Sequence, residues 1–249
     1  MADEFNASKN GIIFVRGCTE GISLVATCFE QAVLKEGDEV LITLMAHHSN
    51  YLPWENGLQP DQGEAEGIAP DVQWEIDLNQ LQEAITEKTR LLAIEHSSLV
   101  LGTLNPITEI VQLAHQRDVP VLVDGAQAAP HMPADFRALG CDFYTFSAHQ
   151  MGGPTGVGVL YGRQEWLAKL LPYQLGEDMV DTVSLARPFA TTQSAFKCGY
   201  QRFEGGTHTF AEIIAFGDVL KYLQGIGRQQ SSQYEEGLLQ YAEPKLVQL

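Results

Sequence analysis

Positive charge is scarce in this chain: 15 Lys and Arg stand against 32 Asp and Glu in 249 residues, a formal net charge of -17. A field of that sign repels phosphate backbones and anionic lipid surfaces, which argues against nucleic-acid and membrane partners. An anionic ligand would have to be held by a local device, such as the free amides at a helix start. Cysteine is scarce too. Cys18, Cys28, Cys141 and Cys198 show no CxxC spacing, so neither a zinc site nor a disulfide framework is indicated, and buried reduced thiols are expected. No apolar run reaches the ~18 residues that a membrane span needs. The opening MADEFNASKNG has no basic stretch followed by an apolar one, and a cytoplasmic protein is expected. GxGxxG and Walker sequences are lacking, which counts against a nucleotide-binding module.

What is present is ordinary globular material, 45% hydrophobic and 19% charged, long enough for one large domain or two small ones. Short β-branched or apolar runs alternate with stretches of helical period, the pattern of an α/β fold with a mainly parallel sheet between helices. Seven strands are predicted, at 12–15, 39–43, 72–76, 90–95, 120–124, 142–147 and 156–162. Helices are predicted over Thr19 to Leu34, N-capped by the threonine, then Leu78 to Ile85, Ile107 to Gln116, 209–225 and 229–247. The terminal pair follows no further strand and is expected to pack across the domain or lead toward something absent. Residues 183–210 show no clean period, and are either a functional loop or a surface excursion.

Four stretches carry candidate chemistry. In VLVDGAQAAPH an apolar strand ends in Asp124, delivering a carboxylate to the edge where α/β proteins bind ligands, with Gln127 three residues on; a strand-end aspartate also serves as a turn former. RGCTEGIS has the strand-glycine-threonine-helix order that aims amides at an anion. MAHHSNYLPW places His47 and His48 after a strand, where they could ligate metal but more readily stack on a planar ring or stay an exposed polar pair. In FSAHQMGGPTG, Ser147 and His149 can donate to a phosphate, and nothing nucleophilic completes a triad with them.

Taken in order, FVRGCTEGISLVA, HHSNYLPW, SSLVLGTLNPI, VLVDGAQAAPH, DFYTFSAHQMGGPTGVGVLYG and RFEGGT closely resemble the SUF-type cysteine desulfurases, within the class V aminotransferase group of pyridoxal-phosphate (PLP) enzymes, over about residues 6 to 247. The resemblance implies the fold type I large domain over 1–249 and release of sulfur from L-cysteine for iron-sulfur cluster assembly, in a homodimer that passes sulfur to an acceptor protein. It also implies that Asp124 pairs with the pyridinium nitrogen and Gln127 with the ring hydroxyl, and that His47 stacks on the ring and moves protons. Thr19, Ser147 and His149 would hold the phosphate, and Thr207 would reach the phosphate of the neighbouring subunit.

The departures are chemical. Where the family has a lysine that forms the Schiff base with PLP, this chain has Gln150, whose nitrogen lone pair is delocalised into its carbonyl and neither attacks an aldehyde nor takes a proton. Leu99 replaces an asparagine beside the cofactor, and Cys18 replaces a threonine in the phosphate turn. The family's N-terminal segment and small C-terminal domain, with the persulfide cysteine and a substrate-binding arginine, find no match here. Lys197 and Cys198, in an apparent insertion before RFEGGT, are the candidates for a substitute amine and thiol. Two readings follow: an impaired or inactive desulfurase, or a non-catalytic PLP-binding or interaction protein.

Overall fold

The computed structural model describes residues 1–55, 63–184 and 193–247. Seven strands form one sheet: β1 (Ile12–Val15), β2 (Glu39–Thr43), β3 (Glu64–Ile68), β4 (Thr89–Glu95), β5 (Val121–Asp124), β6 (Phe143–Ser147) and β7 (Gly158–Gly162), in the spatial order β1-β7-β6-β5-β4-β2-β3. Only β7 runs against its neighbours, β1 and β6; the other pairs are parallel. This is the expected α/β fold with a mainly parallel sheet.

Nine α-helices are present among the described residues: α1 (Cys18–Ala32), α2 (His48–Glu55), α3 (Leu78–Ala84), α4 (Ile107–His115), α5 (Ala128–His131), α6 (Phe136–Leu139), α7 (Gln164–Lys169), α8 (Phe210–Ile226) and α9 (Arg228–Leu246). Side chains alternate across a strand, so the central strands feed two cores. Leu92, Ile94, Val121 and Val123 pack with residues of α3, α4, α5, α6 and α8. Leu91, Ala93 and Leu122 pack on the other face with α1, α2 and α7. Both faces being covered, the central strands read as nearly continuous apolar runs.

The seven-strand count holds, but one member differs. VQWEI is not a strand: the Asp71 carboxylate accepts from the amides of Gln73 (2.8 Å) and Glu75 (3.0 Å), and Trp74 sits at φ 64, so the segment curls into turns with Val72 exposed. The seventh strand is β3, EAEGI, with only Ile68 buried. A polar strand at a sheet edge carries no alternation to read, and its charges discourage further pairing. The N-cap of α1 is Gly17 rather than Thr19, because Thr19 already lies within the helix; Glu20 in the first turn reaches back to the Arg16 amide. Part of the aperiodic 183–210 stretch pairs as an antiparallel hairpin, β8 (Val180–Ser184) with β9 (Gln193–Phe196); residues 185–192 lie outside the described residues. Three cysteines are buried as expected, whereas Cys198, beyond β9, is exposed.

The start of α1 is pressed against the sheet. A Cβ on Gly158 of β7 would lie 2.5 Å from the Gly17 Cα, and one on Gly21 would overlap the Thr145 side chain of β6 far inside van der Waals contact. Glycine is required there by distance. Among the described residues no helix is long and apolar enough to cross a membrane. α9 buries none of its residues; Arg228 at its start donates to the carbonyls of Ala129, Pro130 (2.8 Å) and Met132 (2.8 Å) around α5.

Two outcomes follow from this packing. Gly158→Ala is expected to cost about 1–3 kcal/mol in urea unfolding, since neither backbone can yield. Gly217→Ala in α8, where an added Cβ meets nothing within 4 Å, is expected to stabilise by up to about 1 kcal/mol. His96 is buried with Nδ1 3.0 Å from the Tyr144 hydroxyl, and burial pushes its pKa down from 6.5 to about 4. The unfolded chain therefore takes up this proton first as pH falls. The stability that neutral His96 contributes is full above about pH 6.5 and is lost on descent toward pH 4, a swing of roughly 3 kcal/mol. Comparing urea midpoints of the parent and His96→Gln at pH 7 and 4.5 should show the shallower acid loss in the variant.

Candidate functional site

The carboxyl ends of β4, β5 and β6 and the start of α1 surround a cavity of about 270 Å³. Its walls include Thr19, His47, Asp124, Gln127, Ser147, His149 and Gln150, so seven of the eight sequence-predicted positions share one cavity. Thr207 is the exception. It lines a second cavity of about 320 Å³ with Arg16, Glu20, Tyr173, Glu204 and His208, and no residue lines both. Lys197 and Cys198 line neither. Leu99 lines the first and is largely exposed.

Asp124 is the last residue of β5 and 5% exposed. Its Oδ1 accepts from the Ala126 amide (3.0 Å) and the Cys18 thiol (3.2 Å). Burial raises its pKa, opposed by those two hydrogen bonds and by the charge of His47. The carboxylate thus gains from a cationic or N–H partner in the cavity. Cys18 is a poor nucleophile here: burial, then the Asp124 charge, lifts its pKa well above the ordinary thiol value and keeps it protonated.

The end of the cavity suited to an anion is built from α1. Its N-cap, Gly17, offers no side-chain cap, and the Cys18 amide donates to the Ser147 Oγ at 2.8 Å. With its oxygen accepting, the Ser147 hydroxyl keeps a hydrogen to donate. Thr19 Oγ1 and Ser49 Oγ lie 2.8 Å apart at the rim. His149 and Gln150 follow β6 in a tight turn, Ala148–Met151, closed by Gly152 at φ +78 and by the Gly153 amide donating to the Ala148 carbonyl (2.9 Å). A helix start, two hydroxyl-bearing elements and an imidazole suit a dianion against the unfavourable net charge. His47 lies just before α2, its Nδ1 accepting from the Ser49 amide at 3.2 Å, and among the described residues no group of three potential metal ligands forms.

One acidic lining residue was missed. Glu95 ends β4 as Asp124 ends β5, and the two are register partners. It is 3% exposed; Oε2 accepts from the Thr43 hydroxyl, while Oε1 has no partner among the described residues. Burial raises its pKa, against the Thr43 bond and weaker pulls from its own amide and the Asn105 side chain, neither of which reaches hydrogen-bond geometry at Oε1, and the Asp124 charge adds to the rise. The strand-end rule that selected Asp124 selects Glu95 equally. Gln150 Oε1 is the other unpartnered buried oxygen on this wall.

The comparisons agree with the geometry. The whole chain, residues 1–249, matches the family described as aminotransferase class-V. It is 42% identical over 243 residues to the probable cysteine desulfurase of Halalkalibacterium halodurans, covering 98% of this chain and 58% of that protein. It is 42% identical over 235 residues to the cysteine desulfurase of Shigella sonnei, covering 94% and 57%. The crystal structure of the cysteine desulfurase CsdA (S-sulfonic acid) from Escherichia coli superposes with a TM-score of 0.93 at 33% identity, over all of this chain and 61% of that one. A lysine-to-alanine mutant of C-DES, with glycine covalently linked to its PLP cofactor, superposes at 0.82 with 25% identity over 93% of this chain and 60% of that one. The chain thus spans a little under three fifths of the curated relatives. On its matching family, its sheet and its cavity, it belongs to the class-V aminotransferases, among relatives that are cysteine desulfurases.

Proposed function

We propose that the chain holds a pyridoxal-type phosphate noncovalently in the first cavity and does not accelerate sulfur release from L-cysteine beyond the free cofactor. The observation that carries this reading is Gln150 on the cavity wall, with no lysine among the described lining residues. The remaining donor set fits the group. Ser147, Thr19, His149 and the uncapped start of α1 suit its phosphate, buried Asp124 suits a protonated ring nitrogen, Gln127 its ring hydroxyl, and His47 its face. When bound, such a cofactor supplies an electron sink for bonds at an amino acid's α-carbon. Asp124 would keep the ring nitrogen protonated. Gln150 offers no basic nitrogen to remove the α-proton, and the Cys18 thiol, held protonated, offers no acceptor for sulfur.

The desulfurase activity of the relatives would require an amine that this cavity wall lacks among its described residues. Sulfur hand-over to an acceptor protein and iron-sulfur assembly fall with it. A cytoplasmic homodimer fits the same reading: Thr207 stands apart in the second cavity, and Phe210, Ile214, Tyr222 and Leu239 leave apolar surface on α8 and α9 uncovered.

Three measurements test this. Purified chain mixed with PLP, reduced with borohydride and digested should yield no pyridoxyl peptide from a cavity residue, with sulfide release from L-cysteine at the rate of free PLP. Gln150→Lys should then give a pyridoxyl peptide containing position 150; a labelled Lys197 in the parent would instead restore the enzyme reading. Sedimentation equilibrium should show a dimer, and a stable monomer at tens of micromolar would remove the second copy.

A further inference from the structure

Resting on the reading that the first cavity takes a pyridoxal-type phosphate, we infer that it selects the amine form, pyridoxamine 5'-phosphate, over the aldehyde, and that Glu95 is the selecting residue. Two buried acceptor oxygens line this one cavity without a donor among the described residues: Glu95 Oε1 and Gln150 Oε1. A buried acceptor left unpaired forfeits its water hydrogen bonds, so a ligand that supplies donors binds better than one that does not. The aldehyde brings one more acceptor. A primary ammonium brings three N–H donors and a positive charge.

Charge points the same way. Glu95 and Asp124 end neighbouring strands as register partners, and the cavity wall holds no lysine or arginine among its described residues, only the imidazoles of His47 and His149. A ring nitrogen takes the proton that Asp124 can hold, which leaves Glu95 without a counter-charge. Glu95 cannot swing its free oxygen away without giving up the Thr43 hydroxyl on the other. The amide of Gln150 can present either end, so its contribution depends on which way it turns. Glu95, an acceptor on both oxygens when ionised, has no such freedom. The desulfurase chemistry of the relatives starts from the aldehyde; a cavity that prefers the amine is a store or carrier of the aminated cofactor.

The test is direct binding, read by ligand fluorescence on the purified full chain. Pyridoxamine 5'-phosphate, PLP and pyridoxine 5'-phosphate, whose hydroxyl forms no covalent link, are titrated in parallel. One charge-assisted hydrogen bond in a buried site is expected to make the amine bind about tenfold tighter than either of the others. Glu95→Gln keeps the shape and the Thr43 contact; it should bring the amine to within about threefold of pyridoxine 5'-phosphate. The melting temperature checks that the variant folds. Should it not fold, Glu95→Asp, which keeps the charge but withdraws it from the cavity by one methylene, must lower the amine preference severalfold. PLP or pyridoxine 5'-phosphate binding as tightly as the amine overturns the inference and leaves the cofactor cavity standing, as does an amine preference that survives Glu95→Gln. Failure of all three ligands to bind overturns both.

Discussion

The structure depends on how closely the first turn of α1 approaches the sheet. Gly17 lies against Gly158, and Gly21 against Thr145, at separations that exclude any Cβ. That approach sets the Cys18 amide on the Ser147 hydroxyl and the Cys18 thiol on Asp124, tying a helix start to the ends of β6 and β5 at once. The helix-end charge, the hydroxyls and the carboxylate then converge without any loop having to find its own conformation. The tight turn after β6 adds His149 and Gln150 by the same economy of backbone, with Gly152 in the left-handed region.

Most of this architecture was readable from residue patterns, and the failures have physical causes. Strands β2, β4, β5 and β6 are buried on both faces, so their apolar runs stand out against polar helices. Strand β3 hid because an edge strand of Glu and Ala has one buried residue, while VQWEI imitated a strand and was folded back by the Asp71 carboxylate. The hairpin of β8 and β9 pairs only with itself, so neither strand shows a consistent buried face. Thr19 looked like a cap because threonine favours that role, but the close packing of Gly17 moved the cap back by two residues and left Thr19 free to meet Ser49 at the rim.

The candidate site was more legible than the edges of the fold, because its residues are fixed to strand ends whose order the topology sets. Asp124, Gln127, Ser147 and His149 needed only the β5 and β6 boundaries to be right within a residue or two. Glu95 escaped because its strand was read as a core element, although it ends at the same edge as β5. Burial acts on both acids in the same direction, and the Asp124 charge raises Glu95 further. Two acids on adjacent strand ends are costly to keep ionised together unless something cationic lies between or beside them.

Electrostatic balance ties these observations together. A lysine at position 150 would bring the cavity a positive charge; Gln150 brings none, while Glu95 adds an acid that nothing on the wall neutralises. The chain as a whole, at -17, supplies no compensating field. The balance has to be restored by protons on the carboxyls or by a cation from the ligand. Burial pushes Glu95 and Asp124 toward the protonated form. A cationic ligand opposes that push and is held more tightly for doing so, because its charge favours the ionised form that burial disfavours. The same wall, which carries no lysine among its described residues, therefore favours cationic over neutral ligands.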